Sequence, residues 1–406
     1  MSKVLQLALG ILAAIGGFVD IGDLVFATQA GAKFGYGLLW ALAIGVLGIV
    51  VYAEMSGRVA AVARRPVFDI VRQRLGFGLG LTTLVGSLAF TLLTLAAELG
   101  GVALILQLLL DAGYPLLVIG AALIVGVSIW LLPFEWIERI FGFGGLLLIV
   151  YVVASLKLHP DWGDVGNGFV PHIKGSAVYL YFVVGLMAAA LMPYEVYFYS
   201  SGAVEERWTE KDVKLNRINA ILGFGVGGML ALAIIAASAE TFFGTGVEPE
   251  FIGTTALAAQ IPLGEAGLLL AAGGILFAVA GAAIDTTFAA AYSLAQFCGW
   301  EWGKYKTPKG APRFTLAWMA FLLLGFVIVE SGVDPLQLTE YAVVLSVVAL
   351  PLTYVPILLM GRDRLFMGDY ANGRLSSALG WIYLVVITII AVAAIPLLIA
   401  TNAGGG

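Results

Sequence analysis

The chain has 406 residues, of which 61% are hydrophobic and 12% are charged, and its formal net charge is −5. A soluble domain carries about twice that share of charged residues, so this composition excludes a water-soluble globular fold. The single cysteine, Cys298, excludes an internal disulfide, and neither a CxxC motif nor a histidine cluster offers a soft metal site.

Apolar stretches of about twenty residues recur along the whole chain, and each is long enough to cross a bilayer. They predict an all-α membrane protein with about eleven transmembrane helices. The amino-terminal stretch resembles a signal peptide, but no polar region follows it, so we interpret it as the first span. The predicted spans are residues 4–31, 38–57, 80–110, 114–132, 138–158, 175–202, 216–240, 264–298, 314–330, 339–360 and 377–400.

The distribution of lysine and arginine predicts the orientation of the chain. If the amino terminus is cytoplasmic, all but three of the 21 basic residues fall in cytoplasmic segments, and the exceptions are Lys33, Lys157 and Lys174. Cytoplasmic loops carry an excess of basic residues. We therefore predict a multi-pass protein of the cytoplasmic membrane, with its amino terminus in the cytoplasm and its carboxyl terminus outside.

The first span contains two acidic residues, Asp20 and Asp23. Ionisable residues inside a span are costly in lipid, so they indicate a functional site. Three residues apart, the two carboxylates lie on one helix face or flank a break in the helix. Nearby glycines lower the free-energy cost of unwinding the helix here; they are Gly16, Gly17 and Gly22. Unwinding would free carbonyl oxygens beside the carboxylates, which predicts a cation site made of oxygen ligands.

The sixth span contains Pro193, within the segment AALMPYEVYFYS. Proline lacks the N–H that its helix needs and clashes with the preceding turn, so we expect the helix to open around residues 189–192. The first and sixth spans correspond if the chain consists of two five-helix halves. Interrupted spans at matched positions indicate a binding site at the middle of the membrane.

Three segments in order resemble motifs of the Nramp family of divalent-metal transporters, and the resemblance covers essentially the whole chain. It implies a LeuT-like inverted repeat of helices 1–5 and 6–10, with helices 1 and 6 broken at the midplane. It also implies one transmembrane domain over residues 1–406, with repeats at about 4–158 and 175–360 and an extra helix at about 377–400. The segments are Asp20-Ile21-Gly22-Asp23 with GAKFGYGLLW, AALMPYEVYFYS, and DRLFMGDYANGRLSSALGW.

The resemblance implies a set of metal ligands. By position, Asp20 and Met192 match the family's metal-binding aspartate and methionine, and Ala189 supplies a backbone carbonyl. Asp23 replaces an asparagine ligand of the family. The metal is then the transported substrate, so we expect a carrier without a cofactor and not an enzyme.

The two predicted breaks depart from the family pattern. Ile21 stands where the family has proline, Tyr194 where it has histidine, and Glu195 where it has asparagine. Tyr194 and Glu195 could each act as a gate, a relay or a secondary ligand, and the sequence does not choose between these roles.

Other spans also differ from the family pattern in the positions of their acidic residues. Glu98 matches a glutamate of the third span, but Leu95 replaces an acid of the proton route. Asp285 adds a carboxylate in the eighth span, and apolar residues around Ala342 replace a glutamine in the tenth. Glu98 and Asp285 therefore join Tyr194 and Glu195 as candidate gate, relay or secondary ligands. The site is richer in carboxylate, and the proton route poorer, than in the family.

The ligand types favour manganese. A thioether such as that of Met192 suits manganese, iron or softer ions, whereas carboxylates and carbonyls suit magnesium, calcium or manganese. We predict a secondary transporter that imports Mn²⁺ by alternating access with weak or no proton coupling. The first alternative is a magnesium transporter of the Nramp-related type, although that type is expected to lack the methionine.

Three further classes remain as alternatives. A LeuT-like carrier of an amine or amino acid could use the aspartate pair to bind an ammonium group. An intramembrane aspartyl protease needs its two aspartates on separate helices, whereas Asp20 and Asp23 share one span. A sensor would need a signalling domain, and no such region is evident. We expect the lipid bilayer and a divalent ion as partners, and no nucleic acid; the oligomeric state is open, and a monomer fits.

Overall fold

The computed structural model describes residues 18–110, 112–173, 175–247, 249 and 252–404. Within these ranges the chain forms helices and loops, and no strand. Two short 3-10 segments, Leu146–Ile149 and Val347–Ala349, each join two consecutive α-helices. The helices are α1 (Ile21–Phe34), α2 (Leu39–Ala63), α3 (Val67–Leu109), α4 (Tyr114–Leu131), α5 (Phe134–Gly145), α6 (Val150–Lys157), α7 (Trp162–Gly168), α8 (Ala177–Ala189), α9 (Pro193–Glu205), α10 (Val213–Phe242), α11 (Ile252–Cys298), α12 (Pro312–Glu330), α13 (Pro335–Ser346), α14 (Leu350–Arg362), α15 (Arg364–Met367) and α16 (Arg374–Ala400).

Ten helical segments of the described ranges are long and apolar enough to cross a membrane, and they correspond to the second to eleventh predicted spans. The first predicted span, 4–31, is described only from residue 18 onward, where α1 forms its second half. Residues 4–17, with Gly16 and Gly17, lie outside the described residues. The repeat limits at 4–158 and 175–360 stay a prediction.

Single glycines kink two long helices near the predicted starts of their spans. Gly76 in α3 and Gly264 in α11 have φ of +75° and +68°, a region that favours glycine. Each helix continues on the amino-terminal side of its kink. The apolar segments long enough to cross a membrane are Gly76–Leu109 and Gly253–Cys298, compared with predicted starts at residues 80 and 264.

Burial shows which spans are central. In the most apolar stretch of the sixth span, Ala177–Glu205, 83% of the residues are buried, compared with 22% in Tyr114–Leu131 and 28% in Arg374–Ala400. The fourth and eleventh spans thus present their apolar side chains outward, where lipid would cover them. The sixth span lies at the centre of the helix bundle.

Close packing brings the first span against the sixth and seventh. Helix α1 packs on α10, α8 and α13. Two glycines allow this approach: a Cβ at Gly185 of α8 would lie 2.0 Å from the Phe26 ring of α1, and one at Gly31 would lie 2.5 Å from the Ile235 carbonyl oxygen of α10. The fold therefore places the two segments with predicted breaks side by side.

Candidate metal-binding site

The first break lies at Val19 and Asp20. Phe18 is helical, Val19 forms a bend, and Asp20 is extended with φ −89° and ψ −174° before α1 begins at Ile21. The Asp20 side chain caps α1, because its Oδ1 accepts a hydrogen bond from the backbone N–H of Asp23 at 3.1 Å. The predicted break is present, and aspartate, not proline, begins the helix.

Asp20 is fully buried at this break. Its second oxygen, Oδ2, accepts a hydrogen bond from the Tyr194 hydroxyl of α9 at 3.1 Å. Each carboxylate oxygen has two lone pairs, so both oxygens can still ligate a cation. Tyr194, which occupies the position of the family's histidine, therefore positions Asp20.

Asp23 is also fully buried, one helical turn into α1. Neither of its carboxylate oxygens has a hydrogen-bond partner among the described groups. A buried carboxylate is costly unless another group compensates its charge. A cation bound between Asp20 and Asp23 would provide that compensation.

The second break lies between α8, which ends at Ala189, and α9, which begins at Pro193. Pro193 has no N–H to donate, so the Ala189 carbonyl loses the partner that a continuous helix would give it. The Leu191 carbonyl instead accepts a hydrogen bond from the Tyr354 hydroxyl at 3.1 Å. Opening of the helix over residues 189–192 is therefore confirmed, and it leaves the Ala189 carbonyl oxygen as a candidate ligand.

Met192 caps α9 in an extended conformation and is 1% exposed. Its sulfur lies 3.3 Å from the hydroxyl of Ser346, at the end of α13. The prediction of an apolar tenth span near Ala342 therefore missed a polar residue one turn further along. The hydroxyls of Ser346 and Tyr354 thus form hydrogen bonds with residues of the second break. In the sequence, these two residues are marked only as polar side chains within apolar stretches.

The third and eighth spans meet beside the first break. Glu98 of α3 is fully buried, and its Oε1 accepts a hydrogen bond from the Thr286 hydroxyl of α11 at 3.1 Å. Its Oε2 has no hydrogen-bond partner among the described groups. Leu95, one turn earlier, is buried and apolar. Glu98 therefore lies next to the proposed site, bound to the residue that follows Asp285.

A cavity of about 60 Å³ extends from the second break toward the loops that the sequence predicts to be cytoplasmic. Tyr194, Glu195 and Asp285 line it, and so do Glu206 and Lys304 from the loops after α9 and α11. Glu195 and Asp285 thus face this inner cavity. Among the described residues, no three Asp, Glu, His or Cys side chains form a ready-made metal cluster. The carbonyl and the thioether would therefore have to complete any metal site at the breaks.

On the opposite, outer side of the breaks, hydrogen bonds join the helices. Gln29 of α1 donates to Glu340 of α13 at 2.9 Å, and the hydroxyls of Thr28 and Thr255 lie 2.9 Å apart. Ser238 of α10 donates to the Thr28 carbonyl at 2.6 Å. All five side chains are buried. These polar pairs lie between the breaks and an outer pocket that Gln29 and Glu340 also line, and the cavity of about 60 Å³ lies on the opposite side of the breaks.

Comparison with known proteins identifies the family. Residues 10–396 match the family model described as Nramp, natural resistance-associated macrophage protein-like. The chain belongs to the Nramp family. This Nramp protein is 28% identical over 383 residues to the divalent metal cation transporter MntH of Deinococcus radiodurans, covering 91% of this chain and 85% of that protein.

Solved structures share the fold of this Nramp protein. A crystal structure of a mutant Eremococcus coleocola manganese transporter matches with a TM-score of 0.79 at 18% identity, over 99% of this chain and 87% of that one. Mhp1, a nucleobase-cation-symport-1 family transporter, matches with a TM-score of 0.62 at 16% identity, over 97% of this chain and 93% of that one. The predicted fold class, an all-α membrane protein with a LeuT-like inverted repeat, is confirmed.

Proposed function

We propose that this Nramp protein is a secondary transporter that moves a divalent metal ion, with Mn²⁺ favoured, across the cytoplasmic membrane by alternating access. One observation carries the proposal: Asp23 is a fully buried carboxylate without a hydrogen-bond partner among the described groups, beside Asp20 at the break before α1. A cation is the ligand that this arrangement suits, because it compensates both charges at once.

The proposed ligands are Asp20, Asp23, the Ala189 carbonyl and Met192. Manganese accepts oxygen ligands and tolerates a thioether, whereas magnesium gains nothing from sulfur. The names of the similar proteins agree, since one is a divalent metal cation transporter and another a manganese transporter. The magnesium alternative is therefore less favoured.

The proposed thioether ligand argues against an amine or amino acid as substrate. The Met192 sulfur suits a metal ion such as manganese, but it is only a weak hydrogen-bond acceptor for an ammonium group. One chain contributes every proposed ligand, so a monomer suffices for transport.

A contact near the carboxyl end supports the predicted odd number of spans. Lys33, just beyond the end of the first span, donates a hydrogen bond to the Gly404 carbonyl at 3.0 Å. The end of the first span and Gly404 therefore lie on one side of the membrane, as eleven spans require. The orientation itself follows from the basic residues of the loops, and with that orientation the inner cavity faces the cytoplasm.

Uptake into proteoliposomes tests this function. Liposomes that contain the purified protein should accumulate Mn²⁺ in a saturable manner, and excess Mg²⁺ should compete only weakly. Asp164, an exposed residue of the outer loop, offers a matched control, because Asp164→Asn removes a surface charge and should leave uptake unchanged. Accumulation of radiolabelled amines or amino acids without any Mn²⁺ uptake would contradict the proposal.

A further inference from the structure

Four carboxylates that the proposed metal site does not use line the inner cavity. Glu138 and Glu206 pair with the Lys304 ammonium, which leaves Glu195 and Asp285. Glu195 lies in the first turn of α9, and Asp285 lies in the carboxyl-terminal third of α11. Both line the cavity, together with Tyr194. Glu195 is 5% exposed, and neither of its oxygens has a hydrogen-bond partner among the described groups.

Helix capping does not explain Glu195. An acidic residue in the first turn of a helix commonly bonds a free backbone N–H or complements the helix dipole. Among the described groups, neither carboxylate oxygen bonds an N–H, although α9 begins only two residues earlier. The carboxylate instead borders the cavity, next to the route between the breaks and the inner loops.

We propose that Glu195 and Asp285 form a second cation-binding site, the inner station, which takes a hydrated divalent metal ion between the two breaks and the cytoplasmic loops. The inference rests on the proposed function, because it places the station on the inner route of the same ion. The two carboxylates come from different helices, so an ion between them would bridge α9 and α11.

The lining of the cavity indicates a hydrated ion. Besides carboxylates, the lining of the cavity is mainly aromatic, with residues such as Phe198 and Tyr199, and no sulfur ligand is among the lining residues. A water needs roughly 10–15 Å³ of such volume, so a cavity of about 60 Å³ has room for several. Carboxylate and water are ligands that manganese, magnesium and calcium all accept. The inner station should therefore select less sharply among metals than the breaks do.

A buried lysine lies at the inner end of the cavity. The Lys304 ammonium is 3.7 Å from Glu206 and 3.9 Å from Glu138, and 3.6 Å from the centre of the Phe134 ring. Burial alone would lower the pKa of Lys304, but the neighbouring Glu138 and Glu206 carboxylates raise it above its ordinary value, so the group stays charged. Its positive charge would weaken cation binding at the station, and an ion on a transport route must bind weakly enough to leave.

Counting bound Mn²⁺ by electron paramagnetic resonance tests the inner station on the full-length protein in lipid nanodiscs. The wild type should bind two ions at saturation, and Asp20→Asn and Asp285→Asn one each. The double variant should bind none, and Asp164→Asn should still bind two. Glu195→Gln provides an independent variant, expected to bind one. Thermal unfolding of every variant establishes that it is folded.

The outcomes separate the two proposals. If the wild type binds one ion that only Asp20→Asn removes, the inner station is wrong and the proposed function stands. If Asp20→Asn still binds two ions while Asp285→Asn binds one, the metal site at the breaks is wrong and the station stands. In Asp20→Asn, Mg²⁺ and Cd²⁺ should displace the remaining Mn²⁺ at similar concentrations; strong preference for Cd²⁺ would contradict an all-oxygen station.

Discussion

The two helix breaks are built in different ways. In the first, the Asp20 side chain caps α1, and Gly22 fits because a Cβ there would lie 2.7 Å from the Val343 side chain. In the second, Pro193 removes a backbone donor, and the Tyr354 hydroxyl satisfies the Leu191 carbonyl. The first break depends on a side chain that is also a proposed ligand, whereas the second forms without its proposed side-chain ligand.

Because of this difference, the charged ligands and the soft ligand of the proposed site lie at different breaks. Both proposed carboxylate ligands belong to the first break, and the carbonyl and thioether belong to the second. Changes at Asp20 should therefore remove transport of every divalent ion, whereas changes at Met192 should alter the choice between ions. The predictions below test this separation, from the largest expected effect to the smallest.

The largest effect is expected from Asp20→Asn. Asparagine caps helices as well as aspartate does, so the break should persist while the charge is lost. Loss of a group that only hydrogen-bonds a metal ligand already lowers metal affinity or activity about 10–100-fold. Loss of the charge of a ligand itself should therefore reduce Mn²⁺ uptake more than about 100-fold, to near background. Near-normal uptake by a folded Asp20→Asn protein would refute the assignment of this residue.

Pro193→Ala should have the next largest effect. Alanine restores an N–H that can bond the Ala189 carbonyl, which would close the helix and withdraw a proposed ligand. One hydrogen bond contributes about 1 kcal/mol, so uptake should fall about tenfold at most, and equally for all divalent ions. Pro396→Ala, at an exposed proline in α16, is the matched control. Unchanged uptake by Pro193→Ala would show that the carbonyl is not needed.

Met192→Ala should change selectivity more than rate. Only soft ions lose a favourable contact with sulfur, so transport of Cd²⁺ and Mn²⁺ should weaken several-fold relative to Mg²⁺ and Ca²⁺. Met229→Ala, at a methionine that is 66% exposed on α10, controls for loss of the side chain alone. Competition of each ion against Mn²⁺ uptake measures the change. Equal losses for all ions would mean that Met192 only fills space.

The smallest expected effect is the change of internal pH during metal entry. Tyrosine does not titrate near neutrality, and Leu95 replaces the acid of the family's proton route, so the route that the family pattern predicts is interrupted at two positions. Asp20 and Asp23 together neutralise a divalent ion without release of a proton. A pH dye inside proteoliposomes should therefore report metal entry without stoichiometric acidification. A metal-dependent proton influx that disappears in Asp20→Asn would contradict uncoupled transport.

The sequence predicted the features that depend on local chemistry. Spans follow from runs of apolar residues, and the second break follows from Pro193, whose effect acts within one turn of its own helix. The kinks at Gly76 and Gly264 were missed because a single glycine tolerates a helix as well as a kink. Their positive φ values depend on the packing of the surrounding helices.

Contacts between distant spans could not be predicted in this way. Ser346 lies 154 residues from Met192 in sequence, and Thr286 lies 188 residues from Glu98. No periodicity within one helix determines which faces of two such helices meet. The inner cavity, with Glu195, Asp285 and Lys304 around it, likewise depends on how α9, α11 and the loop after α11 pack together.

The most direct test of the metal site is the position of Mn²⁺ in a crystal. Anomalous X-ray scattering from crystals of the full-length protein grown with Mn²⁺ locates the ion independently of any transport assay. We predict a peak bounded by the carboxylates of Asp20 and Asp23, the Ala189 carbonyl and the Met192 sulfur, and its absence in Asp20→Asn crystals. A well-occupied Mn²⁺ peak elsewhere in the protein, with none at the two breaks, would contradict this account.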